Sequence, residues 1–473
     1  MLMSKPPALS FMGSATSAFQ AHPLWKEPSA TSDWGEAVLK NLNGETSGIK
    51  RSLVKKTLPH FFLKAERYIQ RSAALGETMY RISLEMPRIC LRIGEFDEQH
   101  MIENVRAFGL IHKYEMEPMV TMQHFTLPLS LDTGNGGWLH PDIVRYTRYA
   151  TQQIARFLND KTKMNRALES VLPKRERERI IERDGLVKYF VSINEPWTAV
   201  FRAFLTGEFP PFKKLRFDLV KRALNAMVEA HDAIRTTLQE ANAKAKMPTY
   251  SKPQIGVSYN WQYLEGLFSS LSHYFGEAKI TDMFERDGNH TDFLAEQYYC
   301  RVKFPFFFVK YKDLDYGDHP ALGDMYPQGI TSVLKSMHER YPAKDIFVTE
   351  IGFADHDDLR RPYWLLETVR AIREAATAGV PIRGILHWSL VTNLEWGEGM
   401  EVKFGLFDEA DLDNPLWKSY GSGDQIRGWE AWRVAVDTML YPSDANEIIF
   451  DEATEKARRQ YEKRKTELAK LAK

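Results

Sequence analysis

The chain has 473 residues, 44% hydrophobic and 27% charged, which suits a globular enzyme whose core needs no disulfide or metal staple. Its 63 basic and 63 acidic residues cancel, leaving no electrostatic footprint for nucleic acid or an anionic membrane. Cys90 and Cys300 cannot build a disulfide framework, no uncharged apolar run reaches ~18 residues, and MLMSKPPALS lacks a signal core, so a soluble, cytoplasmic protein is expected.

Short β-prone runs recur along the chain, separated by longer amphipathic stretches. The predicted strands are Phe11–Phe19, Thr78–Ser83, Met119–His124, Lys188–Ile193, Ile255–Tyr259, Phe293–Tyr298, Asp345–Thr349 and Ile382–His387. Trp364–Gly379 shows the intervening pattern: Leu365, Val369, Ile372 and Ala375 share one helical face, and Gly379 stands at the stop. Alternation of this kind predicts a single α/β domain over 1–473, a (β/α)8 TIM barrel with elaborated loops. Two charged segments stand apart. Residues 161–185 read as a helical insertion, with KRERERIIERDG inside it. Residues 441–473 read as a C-terminal extension ending in a charged helix, with Glu452/Lys456 and Glu455/Arg459 at i,i+4 spacing. Solvated surface is the first reading of both and a subunit contact the second, which leaves a homo-oligomer open.

The strand ends carry the functional signal. Gln20, Arg81, His124, Asn194 with Glu195, Tyr299, Glu350 and Trp388 all lie at or just past the C-terminal edges of predicted strands. Any one of them alone reads as a polar residue meeting solvent. Together they converge on one barrel mouth, where such folds build their sites. Other chemistries lose ground. No GxxxxGK[ST] loop, GxGxxG fingerprint, HExxH motif or GxSxG elbow occurs, and GNGGW (134–138) reads as a turn. The histidines are scattered without zinc spacing, and Asp355-His356-Asp357 reads as an exposed loop rather than a metal site.

Two carboxylates remain in distinctive company. SINEPW places Glu195 behind one strand and ahead of a proline, and IFVTEIG places Glu350 at the end of another. Facing carboxyls over one cavity suit glycoside hydrolysis, one as acid and one as nucleophile.

At this point the chain resembles the glycoside hydrolase family 1 β-glycosidases, retaining enzymes on a (β/α)8 barrel. The likeness rests on SATSAFQ (14–20), YRISLEMPRI (80–89), VTMQHFTLPL (120–129), GGWLHPDIV (136–144), SINEPW (192–197), DFLAEQYY (292–299), FVTEIGFAD (347–355) and HWSLVTNLEWGEGMEVKFGLF (387–407). HFTLPL and the TSDW of the first loop look most like the archaeal-type branch. The resemblance implies Glu195 as acid/base and Glu350 as nucleophile, flanked by Arg81 and Tyr299. It implies Gln20, His124, Asn194, Glu395 and Trp396 as partners of the nonreducing-end sugar, with Trp388 beneath its ring. Departures from the family pattern are Phe125 and Thr126 for Trp and Asp, Ala295 for Gly, Gln297 for Asn, Ile351 for Asn, Thr392 for Asp and Lys403 for Arg.

The expected reaction is hydrolysis of unphosphorylated β-glycosides or oligosaccharides by double displacement, without metal or organic cofactor. β-Glucosides lead, with β-galactosides, β-fucosides or β-mannosides as co-substrates. Arg81 and Tyr299 are expected to lower the pKa of Glu350, and the charge on Glu350 to raise that of Glu195. A transglycosylase would use the same residues, and a non-catalytic carbohydrate-binding relative would be expected to lose one glutamate.

Overall fold

The computed structural model describes residues 7–23, 32–50, 53, 59–131, 136–246, 251–266, 277–285, 290–304, 317–319, 323–414 and 425–471. Eight strands form the centre: β1 (Phe11–Ala15), β2 (Met79–Ser83), β3 (Glu117–Gln123), β4 (Tyr189–Asn194), β5 (Gln254–Tyr259), β6 (Phe293–Tyr298), β7 (Asp345–Ile351) and β8 (Ile382–Trp388). They pair in parallel and close in the order β1-β8-β7-β6-β5-β4-β3-β2. Helices such as Glu98–Lys113, Ile143–Leu158, Phe217–Lys244 and Arg361–Thr377 surround them, so the fold is the expected (β/α)8 barrel.

The barrel interior is packed rather than hollow. Phe11, Tyr189, Phe293 and Phe347 meet near the strand starts, with ring centroids 5.0 to 6.3 Å apart. These rings fill the barrel axis near the N-terminal end of the strands. Gly13 lets β1 close against β2, because a Cβ there would collide with the Met79 carbonyl.

The first strand is shorter than predicted. It stops at Ala15, and Ala18–Ala21 forms a helical turn that carries Gln20. The Ala18 N–H donates to Ser83 Oγ (2.8 Å), which bends the chain inward over β2. Arg361–Thr377 is helical, and Gly379 beyond it has φ +96°, a left-handed value glycine tolerates.

The charged segments are less solvated than their composition suggests. Within 161–185, helix Lys161–Leu168 starts at an Asp160 cap and buries Met164, Ala167 and Leu168, while Leu172 and Ile180 are also buried. A Cβ on Gly109 would press on Leu168 and Val171, so this segment packs against the helix after β2. The tail forms one helix, Asp444–Leu471, anchored by buried Phe450 and Ala457. Glu455 pairs with Arg458 (2.7 Å) rather than with Arg459, and Arg464 reaches Asp357 (2.5 Å) in the loop after β7. Asp355 is a second correction. It is buried and salt-bridged to Arg360 (3.0 Å), with the Arg360 and Arg361 amides on its other oxygen, so it clamps that loop instead of lying exposed. Thr31 of TSDW, Gly134 and Asn135 of GNGGW, and the last two residues of the tail lie outside the described residues. Among the described residues, no helix is long and apolar enough to cross a membrane.

Candidate active site

Glu350 is the penultimate residue of β7, and strand register sets its neighbours. An irregularity between Glu296 and Gln297 brings Gln297 of β6 opposite Glu350. Gln297 Nε2 donates to Glu350 Oε1 (2.7 Å) and to Asn194 Oδ1 (2.9 Å). Arg81 on β2 is buried, donates from Nη1 to Glu350 Oε1, and is held by Thr121 Oγ1 (2.9 Å) and Asn194 Oδ1 (2.6 Å). The Tyr299 hydroxyl donates to Glu350 Oε2. Asn194 Oδ1 thus accepts from Arg81, Gln297 and Ser258 Oγ (3.1 Å), which turns the oxygen inward and leaves the NH2 end for other work.

Glu195 follows β4 directly. Its backbone is left-handed (φ 43°, ψ 66°), a conformation costing about 1–3 kcal/mol in a non-glycine residue. The Glu195 N–H donating to Ser258 O (2.9 Å) and Pro196 at the start of the next helix hold it there. The side chain accepts from Asn260 Nδ2 (3.3 Å), and Gln262 Nε2 in turn donates to Asn260 Oδ1 (2.7 Å).

Burial dominates the protonation of both groups. Glu195 is raised above the usual carboxylate range by burial, against weaker lowering by its Thr198 and Asn260 hydrogen bonds and by the Arg202 and Arg81 charges. The expected direction therefore holds with a different main cause. Glu350 departs from expectation. Burial pushes it up to about 7, outweighing the attraction of Arg81 and the Tyr299 hydrogen bond, and the Glu195 charge adds to the rise. Desolvation of a fully enclosed carboxylate is the part that motif reading omitted. Tyr299 stays a neutral donor, raised well above its ordinary value by burial and by Glu350.

The rest of the cleft is aromatic and amide-rich. Trp388 and Trp396 both lie nearly parallel to the His124 ring, with centroids 5.8 and 6.0 Å away. Burial holds His124 well below its ordinary pKa, hence neutral. Phe125 meets Trp396 edge-on at 5.2 Å, and Phe19 stacks behind it at 5.8 Å. Gln20 Nε2 donates to Leu394 O (2.8 Å) and approaches Glu395 Oε2 (3.5 Å). Gln20 Oε1 and His124 Nδ1 are buried without a partner among the described residues, and both residues line the cleft, so hydroxyl groups of a ligand would satisfy them.

Of the ten residues singled out from sequence, Gln20, His124, Asn194, Glu195, Tyr299, Glu350, Trp388, Glu395 and Trp396 line one cleft of about 530 Å³. Arg81 lies behind Glu350 and reaches the cleft through it. Arg202, Asn260, His319, Phe209 and Phe404 also line it and were not singled out.

Comparison with known proteins gives this arrangement its context. A family described as Glycosyl hydrolase family 1 matches residues 6–170 and 313–413, more than half of the chain. The chain belongs to glycosyl hydrolase family 1. Curated relatives agree. A β-galactosidase of Sulfolobus acidocaldarius is 27% identical over 336 residues, covering 63% of each chain. A 1,4-β-D-glucan glucohydrolase of Thermotoga neapolitana is 23% identical over 388 residues, 70% of this chain and 81% of the relative. The solved β-glycosidase from Pyrococcus horikoshii superposes with a TM-score of 0.71 at 20% identity, covering 94% of this chain and 98% of that one, which matches the fold. Membership of family 1 makes the protein a glycoside hydrolase of the β-glycosidase type.

Proposed function

We propose that this family 1 enzyme hydrolyses unphosphorylated β-glucosides, and related β-galactosides, β-fucosides or β-mannosides, with retention of configuration. Glu350 attacks the anomeric carbon while Glu195 protonates the departing oxygen. Glu195 then removes a proton from the water that releases the glycosyl ester. Loss of the Glu350 charge in the ester lets the Glu195 pKa fall, so one group serves both steps. Arg81, Gln297 and Tyr299 hold the nucleophile, and Gln20, His124, Asn194, Glu395, Trp388 and Trp396 hold the sugar. The observation that carries this reading is the Glu350 carboxylate, held by three donors in the same cleft as Glu195.

The preference for neutral sugars rests on where the cations are engaged. Lys403 Nζ donates to Asp408 (2.6 Å), Arg202 pairs with Glu208 (3.3 Å) and Arg81 is committed to Glu350 and Asn194. Glu395 faces the cleft as an acid, so a 6-phosphate would meet like charge there. Two buried free thiols, Cys90 and Cys300, fit a cytoplasmic location. Specificity constants for a panel of aryl β-glycosides, including matched glucoside and 6-phosphoglucoside, test the reading. A higher constant for the phosphorylated compound overturns the neutral-sugar preference.

A further inference from the structure

Three large apolar side chains are held out of the core in one segment after β4: Phe201, Leu215 and Phe217, at 40%, 73% and 68% exposure. The segment is folded back on itself. Lys213 N–H donates to Ala203 O (3.0 Å), Leu215 N–H to Leu205 O (3.1 Å) and Arg216 N–H to Phe204 O (2.8 Å). Leu215 has φ 53°, a strained value for a leucine, so its projection belongs to an ordered backbone. Apolar side chains presented this way mark a contact surface.

Charge identifies what they meet. Lys214, Lys221 and Arg222 are exposed in the same stretch, and Lys221 lies on the face of helix Phe217–Lys244 that carries Phe217, one turn on. The nearby acids are engaged: Asp218 with Arg216 (2.7 Å), and Glu208 with Arg202 (3.3 Å) and Lys50 (3.4 Å). Cations therefore flank apolar tips that protrude, and protruding tips need no matching pocket in a deformable medium. We propose that this segment docks the protein on an anionic lipid surface. Leu215 and Phe217 enter the boundary between headgroups and acyl chains, and Lys214, Lys221 and Arg222 meet lipid phosphates. Neutrality of the whole chain does not oppose this, because charges act on a surface only within about 10 Å at 0.1 M salt. Arg202 and Phe209 of the same segment line the cleft, so docking sets the cleft mouth beside the headgroups.

The test is co-sedimentation of the full chain with phosphatidylcholine vesicles, with and without phosphatidylglycerol. Binding is expected only with the anionic lipid and should weaken as salt rises. Leu215→Ser/Phe217→Ser should bind about tenfold more weakly, and Lys214→Ala and Lys221→Ala about fivefold each, all with an unchanged thermal midpoint. The lysine variants keep the test intact if the double apolar variant fails to fold. Equal binding to neutral vesicles, or undiminished binding by the lysine variants, overturns the proposal. So does self-association that is lost in Leu215→Ser/Phe217→Ser without vesicle binding, which would assign the surface to a second copy of the chain.

Discussion

Glu350, next to last in its strand, has donors on both carboxylate oxygens, from Arg81, Gln297 and Tyr299, whereas Glu195 accepts a long 3.3 Å bond from Asn260 and a Thr198 hydrogen bond. Both are buried, and burial raises both. The difference lies in what opposes it. A guanidinium and two neutral donors fix the orientation of Glu350 and favour its anion, which is what a nucleophile needs. Glu195 has fewer and longer hydrogen bonds, an environment suited to a group that must give up and regain a proton.

The largest expected effect comes from removing the braced partner. Glu350→Gly should lower kcat by about 10⁴-fold or more, the scale seen when a covalent nucleophile is lost. Added azide or formate should restore turnover of an activated aryl glycoside by filling the space of the carboxylate. Near-normal turnover in the variant without any added anion would remove Glu350 from that role.

Glu195→Ala should cost about 10²–10⁴-fold on substrates with poor leaving groups, the range for general acid catalysis. Dinitrophenyl glycosides need no proton and should lose far less in the first step. If both substrate types lose equally, the contrast between the two glutamates does not reflect an acid and a nucleophile.

A subtler disturbance targets the brace itself. Gln297→Leu removes a hydrogen bond to a charged group, worth about 1.5–3 kcal/mol, so kcat should fall roughly 10- to 100-fold. Its pH profile is the sharper readout. Glu350 must be ionised to attack, so activity should rise with pH as this buried carboxyl, pushed up to about 7, loses its proton. Losing a donor that favours the anion raises the pKa of Glu350, so the acid limb of kcat/KM should move to higher pH. An unmoved acid limb would leave Gln297 with a packing role only.

Sequence reading found the strands because short apolar runs ending in polar residues leave a clear pattern. The rule that marked Gln20, Arg81, His124, Glu195, Tyr299, Glu350 and Trp388 also fits the fifth strand, where Asn260 follows Tyr259. Asn260 was within reach and was passed over. Gln297 was noticed only as a departure from a family pattern, since its bridge to Glu350 depends on a register irregularity that no motif encodes. Arg202 and His319 come from excursions between strands, where no period places a side chain in the cleft. The rise of Glu350 was missed for a different reason: partners can be inferred from motifs, but desolvation depends on everything that surrounds the group. The charged insertion shows the same limit, because its buried Met164 and Leu168 are outvoted in composition by the charges around them.

The smallest expected effect separates burial from catalysis. Glu77 is a buried carboxyl like Glu350 and also has three donors, Ser14 Oγ (2.7 Å), Trp432 Nε1 (2.7 Å) and Ser72 Oγ, yet it does not line the active-site cleft. Burial pushes it up to about 7 despite them. Its folded pKa lies above the ~4.3 of an unfolded glutamate, so the folded protein holds this proton more tightly. The resulting stabilisation is complete below pH ~4.3 and is lost as pH rises through about 7, a change of a few kcal/mol at most. Glu77→Gln removes the titrating group while keeping its shape. The thermal midpoint of the variant should therefore fall less steeply than that of the parent between about pH 5 and 8, with kcat unchanged within about twofold. Parallel midpoint curves would mean that Glu77 does not titrate in this window. A large loss of kcat without loss of stability would mean that buried carboxyls couple to the cleft through the barrel wall, and the donor-set distinction between Glu195 and Glu350 would then be too local.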